Sequence, residues 1–175
     1  GLQAPITEAV AAFKESSGER VELRFGGSGS LAAQLELAGG DLYLPADSSY
    51  LDSFEARGML SSRLSLCNLS AGIAVAHGNP AQIFTVEDLS RQGLRIALCN
   101  QSAAIGLHLE KHLGSDPRWR MAVSSAVVSM GTVTEVAQAV ALGVVDAGIV
   151  WDAVADQFQE IDFVALDDEA LLPTA

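Results

Sequence analysis

Hydrophobic positions along the chain switch between two spacings, which predicts alternating helices and strands. Apolar residues from Ile6 to Phe13 recur at helical spacing, and Pro5 suits the first turn of a helix that Gly18 ends. Residues 20–25 alternate polar and apolar side chains, as a half-buried strand does. A glycine-rich turn at 26–30 and a second apolar helical stripe follow. The chain therefore begins with helix, strand, tight loop and helix.

The same alternation continues to the end of the chain and predicts the fold class. Strands are predicted at 20–25, 41–45, 69–76, 94–98, 123–128, 146–151 and 161–166. Helical patterns follow most of them, and Ser48 is a candidate cap for one of these helices. Helices alternating with strands predict an α/β protein with mainly parallel sheets flanked by helices.

Composition and charge exclude several kinds of partner. The 175 residues carry a formal net charge of −12 and only 18% charged side chains, against about 25% in typical soluble domains. Lys and Arg form no run, so neither nucleic acid nor an anionic membrane surface is an expected partner. No window approaches ~18 uninterrupted apolar residues, so no membrane span is predicted.

Cysteines and histidines give no expected metal site. Cys67 and Cys99 lie far apart in sequence, and burial as small hydrophobic side chains is the favoured interpretation, with a disulfide as the alternative. His108 and His112 stand at the spacing of a zinc-binding helix, but Glu110 is one place late for that motif. A solvated helix face is therefore the favoured interpretation of the two histidines.

The glycine-rich turn does not match a catalytic or nucleotide-binding loop. The run Gly27-Ser28-Gly29-Ser30 does not fit the serine-hydrolase elbow, and it lacks the lysine of a phosphate-binding loop. No histidine is assignable as a partner for Ser28. We therefore expect no enzymatic activity and no cofactor.

Small polar or glycine residues recur at the predicted helix starts. Four such junctions lie at 1–2, 27–30, 101–104 and 131–133. A helix start presents unpaired N–H groups and a partial positive charge, so several converging starts bind an anion without Lys or Arg. Each junction taken singly is more typical of an ordinary cap, and only the set indicates a ligand site.

Four segments of the chain resemble one known family. They are 25–35 (FGGSGSLAAQL), 41–47 (DLYLPAD), 78–80 (GNP) and 146–151 (DAGIVW). In order and spacing they resemble the periplasmic molybdate/tungstate-binding proteins of ABC importers, a type II solute-binding family. The resemblance implies a two-lobed fold with the ligand in the cleft, where helix ends of both lobes meet.

In the first lobe, the resemblance implies ligand contacts at two places. Ser28, beside Gly27, matches a serine that gives hydroxyl and amide donors to the oxyanion. Gly1 stands where many members have a serine, so the backbone N–H of Gly1 or Leu2 is the implied donor there.

In the second lobe, the resemblance implies backbone donors at two helix starts. Ala104 or Ile105 matches one amide donor, and Val133 matches the other. Trp151 stands where several members have a ligand-contacting tyrosine. Either its indole N–H replaces that hydroxyl as a donor, or its ring only lines the cleft.

The resemblance also implies how the chain is organised. The expected divisions are an incomplete first lobe at 1–68, a second lobe at 69–155 and a crossover back towards the first lobe at 156–175. Relative to the family, we expect the chain to lack the first strand and the C-terminal helices.

The leading hypothesis is a monomeric, extracytoplasmic protein that captures molybdate or tungstate and presents it to the permease of an ABC importer. Sulfate or phosphate is an alternative ligand. The alternative of another class is a cytoplasmic oxyanion-sensing domain of a transcription regulator. Because the net charge is negative, we expect long-range steering to add little to the rate of anion capture.

Overall fold

The structure, a computed structural model, describes residues 2–166 as helices packed around one sheet. Its helices and strands are α1 (Gln3–Ser17), α2 (Ser28–Ala38), α3 (Ser49–Ala56), β1 (Ala71–Ala76), a 3₁₀ helix (Glu87–Ser90), β2 (Ile96–Cys99), α4 (Ala104–Leu113), α5 (Pro117–Ser125), β3 (Ala126–Met130), α6 (Val133–Ala141), β4 (Ala147–Trp151), α7 (Asp152–Ala155) and β5 (Ile161–Ala165). The predicted α/β class is confirmed.

The five strands form one mixed sheet in the order β3-β2-β4-β1-β5. β2 runs parallel to β3 and β4, whereas β1 runs antiparallel to β4 and β5. The sheet is therefore less parallel than its alternating pattern predicts. Helices connect the parallel strands, but the connection from β1 to β2 carries only the 3₁₀ helix and leaves these strands in opposite directions.

The core lies between the sheet and the helices that follow its strands. Every residue of β4 is buried, and β1 is buried from Ala71 to Val75. Helix α6 packs so closely on β4 that a Cβ at Gly148 would stand 2.3 Å from a methyl group of Val136. This contact holds the first turn of α6 against the beginning of β4.

The N-terminal segment, defined here as residues 2–68, differs from its predicted pattern. Its helices are confirmed, and α1 ends at Gly18 with a φ of 73°. The predicted strands at 20–25 and 41–45 are wrong for the described structure, because neither segment joins the sheet. Leu42 is 93% exposed, as expected when an alternating segment has no sheet to cover.

Two helix starts also differ from their predictions. Ser48 precedes α3 but makes no side-chain cap; Asp47 does so instead, accepting the Ser49 backbone N–H at 2.9 Å. Helix α5 was not predicted, although Asp116 caps it and Pro117 opens it.

The division into lobes stays a prediction. All five described strands lie after residue 69, and β5 pairs with β1 in the same sheet. The last part of the predicted crossover, 167–175, lies outside the described residues.

Candidate functional site

Helix α2 begins at Ser28, the central residue of the glycine-rich turn. Ser28 is 8% exposed, and its Oγ accepts the backbone N–H of Ala46 at 3.2 Å. Its carbonyl oxygen accepts the Tyr43 hydroxyl at 2.8 Å. Because Oγ acts as an acceptor towards Ala46, its own hydrogen stays available for donation to a ligand.

Three helix starts meet at this turn. A Cβ built on Gly27 would lie 3.0 Å from the Gly131 carbonyl oxygen and 3.8 Å from the Cα of Ala103. The Gly29 N–H donates to the Ser102 carbonyl oxygen at 2.9 Å. The loops that precede α4 and α6 therefore touch the loop that precedes α2, and glycine permits this backbone approach.

The start of α4 presents backbone donors beside that contact. Ala103 precedes the helix in an extended conformation without a side-chain cap. The N–H groups of Ala104 and Ile105 lie in the first turn and have no acceptor within the helix. Asn100 Oδ1 accepts from both the amide and the hydroxyl of Ser102, which holds the loop in place.

The start of α6 is closed by a capping box. Glu135 Oε2 accepts the N–H groups of Gly131 at 3.1 Å and Thr132 at 2.9 Å, and Thr132 Oγ1 accepts the Glu135 N–H at 3.3 Å. The next amide, that of Val133, is the first of the helix and has no acceptor within it. The amides of Gly131 and Thr132 are therefore bound to Glu135, whereas the amide of Val133 is the predicted ligand donor.

Trp151 ends β4 and is 2% exposed. Its ring lies 5.5 Å from the ring of His108, with an angle of 59° between the planes. Trp151 therefore packs beside α4, whose start carries Ala104 and Ile105. Both roles predicted for Trp151, indole donor and cleft wall, stay predictions.

Leu2 lies near Ala46, the residue that donates a hydrogen bond to Ser28. Leu2 lines a cavity of about 80 Å³ together with Tyr43, Ala46 and Arg63. Ala46 is the residue whose amide holds the Ser28 hydroxyl. Gly1 lies outside the described residues, so its role stays a prediction.

His108 is buried, which corrects the expected solvated helix face. It is 2% exposed, and its Nδ1 lies 3.2 Å from Oδ2 of Asp47, which is 6% exposed. Burial raises the pKa of Asp47, but hydrogen bonds from His108 and Ser49 outweigh it and hold that pKa well below its usual range. His112 does lie on the exposed face, and partial burial together with His108 lowers its pKa.

Asp47 is not among the site residues that the sequence predicts. It ends an exposed segment, and its signal is an Asp placed just before a helix. Such a signal predicts a cap and gives no indication of a partner on α4. Among residues 2–166, no group of three His, Cys, Asp or Glu side chains is arranged to hold a metal ion.

The two cysteines are free thiols in different environments. Cys67 is exposed, so the predicted burial is wrong for that residue. Cys99 is half-buried at the end of β2, and burial raises its pKa to about 12. The alternative disulfide is not formed.

Comparisons with known proteins identify the family. A model of the bacterial extracellular solute-binding protein family matches residues 1–175. The chain belongs to this family. The expectation of a binding protein without enzymatic activity is thereby confirmed, and membership indicates a location outside the cytoplasm. Within the described range, no helix has the length and apolarity to cross a membrane.

The curated relatives that match this chain are named as molybdate-binding proteins. The chain is 31% identical over 153 residues to the molybdate-binding protein ModA of Mycobacterium bovis and that of Mycobacterium tuberculosis. The match covers 86% of this chain and 57% of each relative, so this solute-binding protein spans little more than half their length. The resemblance found in the sequence is confirmed.

Solved structures support the fold. The periplasmic molybdate-binding protein of Azotobacter vinelandii aligns with a TM-score of 0.71 at 20% identity, covering 99% of this chain and 79% of that one. A ferric-binding protein from Campylobacter jejuni aligns with a TM-score of 0.68 at 15% identity, covering 94% and 67% respectively. These two proteins are named for different ligands, so the fold alone does not select one.

Proposed function

We propose that this solute-binding protein captures a small tetrahedral oxyanion, molybdate or tungstate, and presents it as a monomer to the permease of an ABC importer. No cofactor is needed in this proposal, because the oxyanion is itself the ligand. The observation that carries it is the meeting of three helix starts at Gly27 and Gly29. The curated relatives named as molybdate-binding support the choice of ion.

The donors in this proposal are neutral. They are the hydroxyl and amide of Ser28 at the start of α2, the amide of Ala104 or Ile105 at the start of α4, and the amide of Val133 at the start of α6. Each helix start adds a partial positive charge of about half an elementary charge. These local dipoles allow one dianion to bind to a chain whose formal net charge is −12.

A set of donors without an acceptor favours an oxyanion that carries no proton. Molybdate, tungstate and sulfate meet this condition at neutral pH, whereas phosphate keeps a proton that needs an acceptor. At the start of α6, Oε2 of Glu135 accepts the amides of Gly131 and Thr132. We therefore propose that phosphate binds more weakly than molybdate or tungstate.

Titration calorimetry with molybdate, tungstate, sulfate and phosphate tests the proposed function. We expect saturable 1:1 binding of molybdate and tungstate, with weaker binding of phosphate. Tight binding of sulfate with no response to molybdate would change the ligand assignment. If none of the four ions produces heat or raises the melting temperature, the proposed function is wrong.

A serine pair on α2 tests the donor assignment. Ser28→Ala removes the predicted hydroxyl donor, and loss of a hydrogen bond to an anion should weaken molybdate binding about 10- to 100-fold. Ser30→Ala is the matched control, because Ser30 is exposed on the same helix. Equal affinities of the two variants would contradict the role of Ser28.

A further inference from the structure

The side chains of Asp47 and His108 join the two parts of the chain that supply the predicted donors. Asp47 follows Ala46, whose amide holds the Ser28 hydroxyl. His108 lies on α4, one turn after Ala104. We propose that Asp47 and His108 are positioning residues whose hydrogen bond fixes the start of α2 against the start of α4 for oxyanion binding. This inference rests on the proposed function.

The carboxylate of Asp47 is buried, and each of its two oxygens has a hydrogen-bond partner. Asp47 Oδ1 accepts the Ser49 amide at 2.9 Å and the Ser49 hydroxyl at 2.6 Å. Asp47 Oδ2 lies 3.2 Å from His108 Nδ1, and both side chains are more than nine-tenths buried. A buried carboxylate that loses a donor pays a large desolvation cost, so this bond strongly favours the observed arrangement.

The histidine ring connects that carboxylate to the wall of the predicted site. Its ring packs against Trp151 at 5.5 Å. Its Nε2 is buried and has no hydrogen-bond partner among residues 2–166, so Asp47 provides the polar contact that orients the ring. Displacing His108 would therefore release both the Asp47 contact and the packing of Trp151.

A nearby backbone bond reports on the same arrangement. The Gly29 N–H donates to the Ser102 carbonyl oxygen at 2.9 Å, between the turn of α2 and the loop before α4. If the Asp47–His108 bond holds these segments together, its loss should expose the Gly29 amide to exchange with solvent. This readout does not require a ligand.

Two substitutions at one position separate the hydrogen bond from general packing. His108→Leu keeps an apolar side chain of similar volume but removes the donor, whereas His108→Asn retains a donor close to the position of Nδ1. We expect His108→Leu to weaken molybdate binding about 10- to 100-fold and His108→Asn to restore most of the affinity. Lys111→Leu, on the exposed face of the same helix, is the control and should bind as the unaltered protein does.

A structural role alone predicts a different result. In that case His108→Leu and His108→Asn would both lower the melting temperature of the ligand-free protein, and the folded variants would bind molybdate normally. Unchanged molybdate affinity in His108→Leu overturns the positioning role.

Hydrogen–deuterium exchange of the Gly29 amide makes the test independent of the ligand. We expect exchange to become about tenfold faster in His108→Leu and to stay unchanged in His108→Asn and Lys111→Leu. Equal exchange in all of them overturns the positioning bond. If the unaltered protein binds no oxyanion, the proposed function fails, and the exchange comparison still decides whether this bond holds the two segments.

Discussion

Replacing Gly29 with alanine tests the close approach of α2 to the loop before α4. A Cβ at this position would stand 2.8 Å from the carbonyl oxygen of Ser102 and 3.4 Å from its Cα. Both contacts are with backbone atoms, which cannot rotate away as a side chain does. The clash is therefore relieved only if the two segments separate. Separation lengthens the hydrogen bond from the Gly29 N–H to the Ser102 carbonyl oxygen, which is 2.9 Å in the structure.

The expected cost combines two losses and one gain. Overpacking costs ~1–3 kcal/mol, and a weakened backbone hydrogen bond costs ~1 kcal/mol. Alanine within a helix returns at most ~1 kcal/mol relative to glycine. We therefore expect Gly29→Ala to lower the free energy of unfolding by ~2 kcal/mol.

Urea unfolding followed by tryptophan fluorescence measures this cost. Gly26→Ala is the matched control, because its Cβ would meet only the side chain of Leu31, at 3.4 Å. We expect the control to stay within ~0.5 kcal/mol of the unaltered protein. If the two alanine variants have the same stability, the described backbone approach is wrong.

Three further predictions concern separate residues. Val133→Pro removes one amide while proline fits the first helical position, so molybdate affinity should fall about 10-fold or more by calorimetry with the helical circular dichroism unchanged; unaltered affinity would contradict the donor role. Asp47→Asn should lower the unfolding free energy by ~2 kcal/mol at neutral pH. Because the pKa of Asp47 is lowered in the fold, its contribution is complete above the usual carboxyl pKa and is lost as the pH falls through the lower folded value. The difference between the two proteins in urea titrations should therefore narrow in acid, and a constant difference would contradict this origin. Since burial raises the pKa of Cys99 to about 12, iodoacetamide at about pH 8 should label exposed Cys67 first, as mass spectrometry would show; equal rates in the folded protein would count against the described burial.

Periodicity predicted the regular elements well where burial on a sheet agrees with the local pattern. Strands β1, β2, β4 and β5 lie within two residues of their predicted bounds. Periodicity failed at 20–25 and 41–45, where alternating side chains have no neighbouring strand in the described structure. A strand is a property of a pair, and one segment carries no information about whether its partner is present.

The part of the site that the sequence predicts consists of helix starts, because short local motifs identify them. Glycine and serine at 27–30 and the Thr132 to Glu135 capping box are short-range signals. The pairing of Asp47 with His108 is not, since 61 positions separate them and neither residue type specifies a partner.

The sequence by itself determined the α/β class, the glycine-rich turn, the starts of α2, α4 and α6, and the motifs that place the chain in its family. These depend on local spacing and on the backbone freedom of glycine. Only the tertiary structure decided the direction of β1, the burial of His108 and the meeting of the helix starts around Gly27 and Gly29. The reason is that strand direction and interior contacts depend on how distant segments pack, which a one-dimensional pattern does not encode.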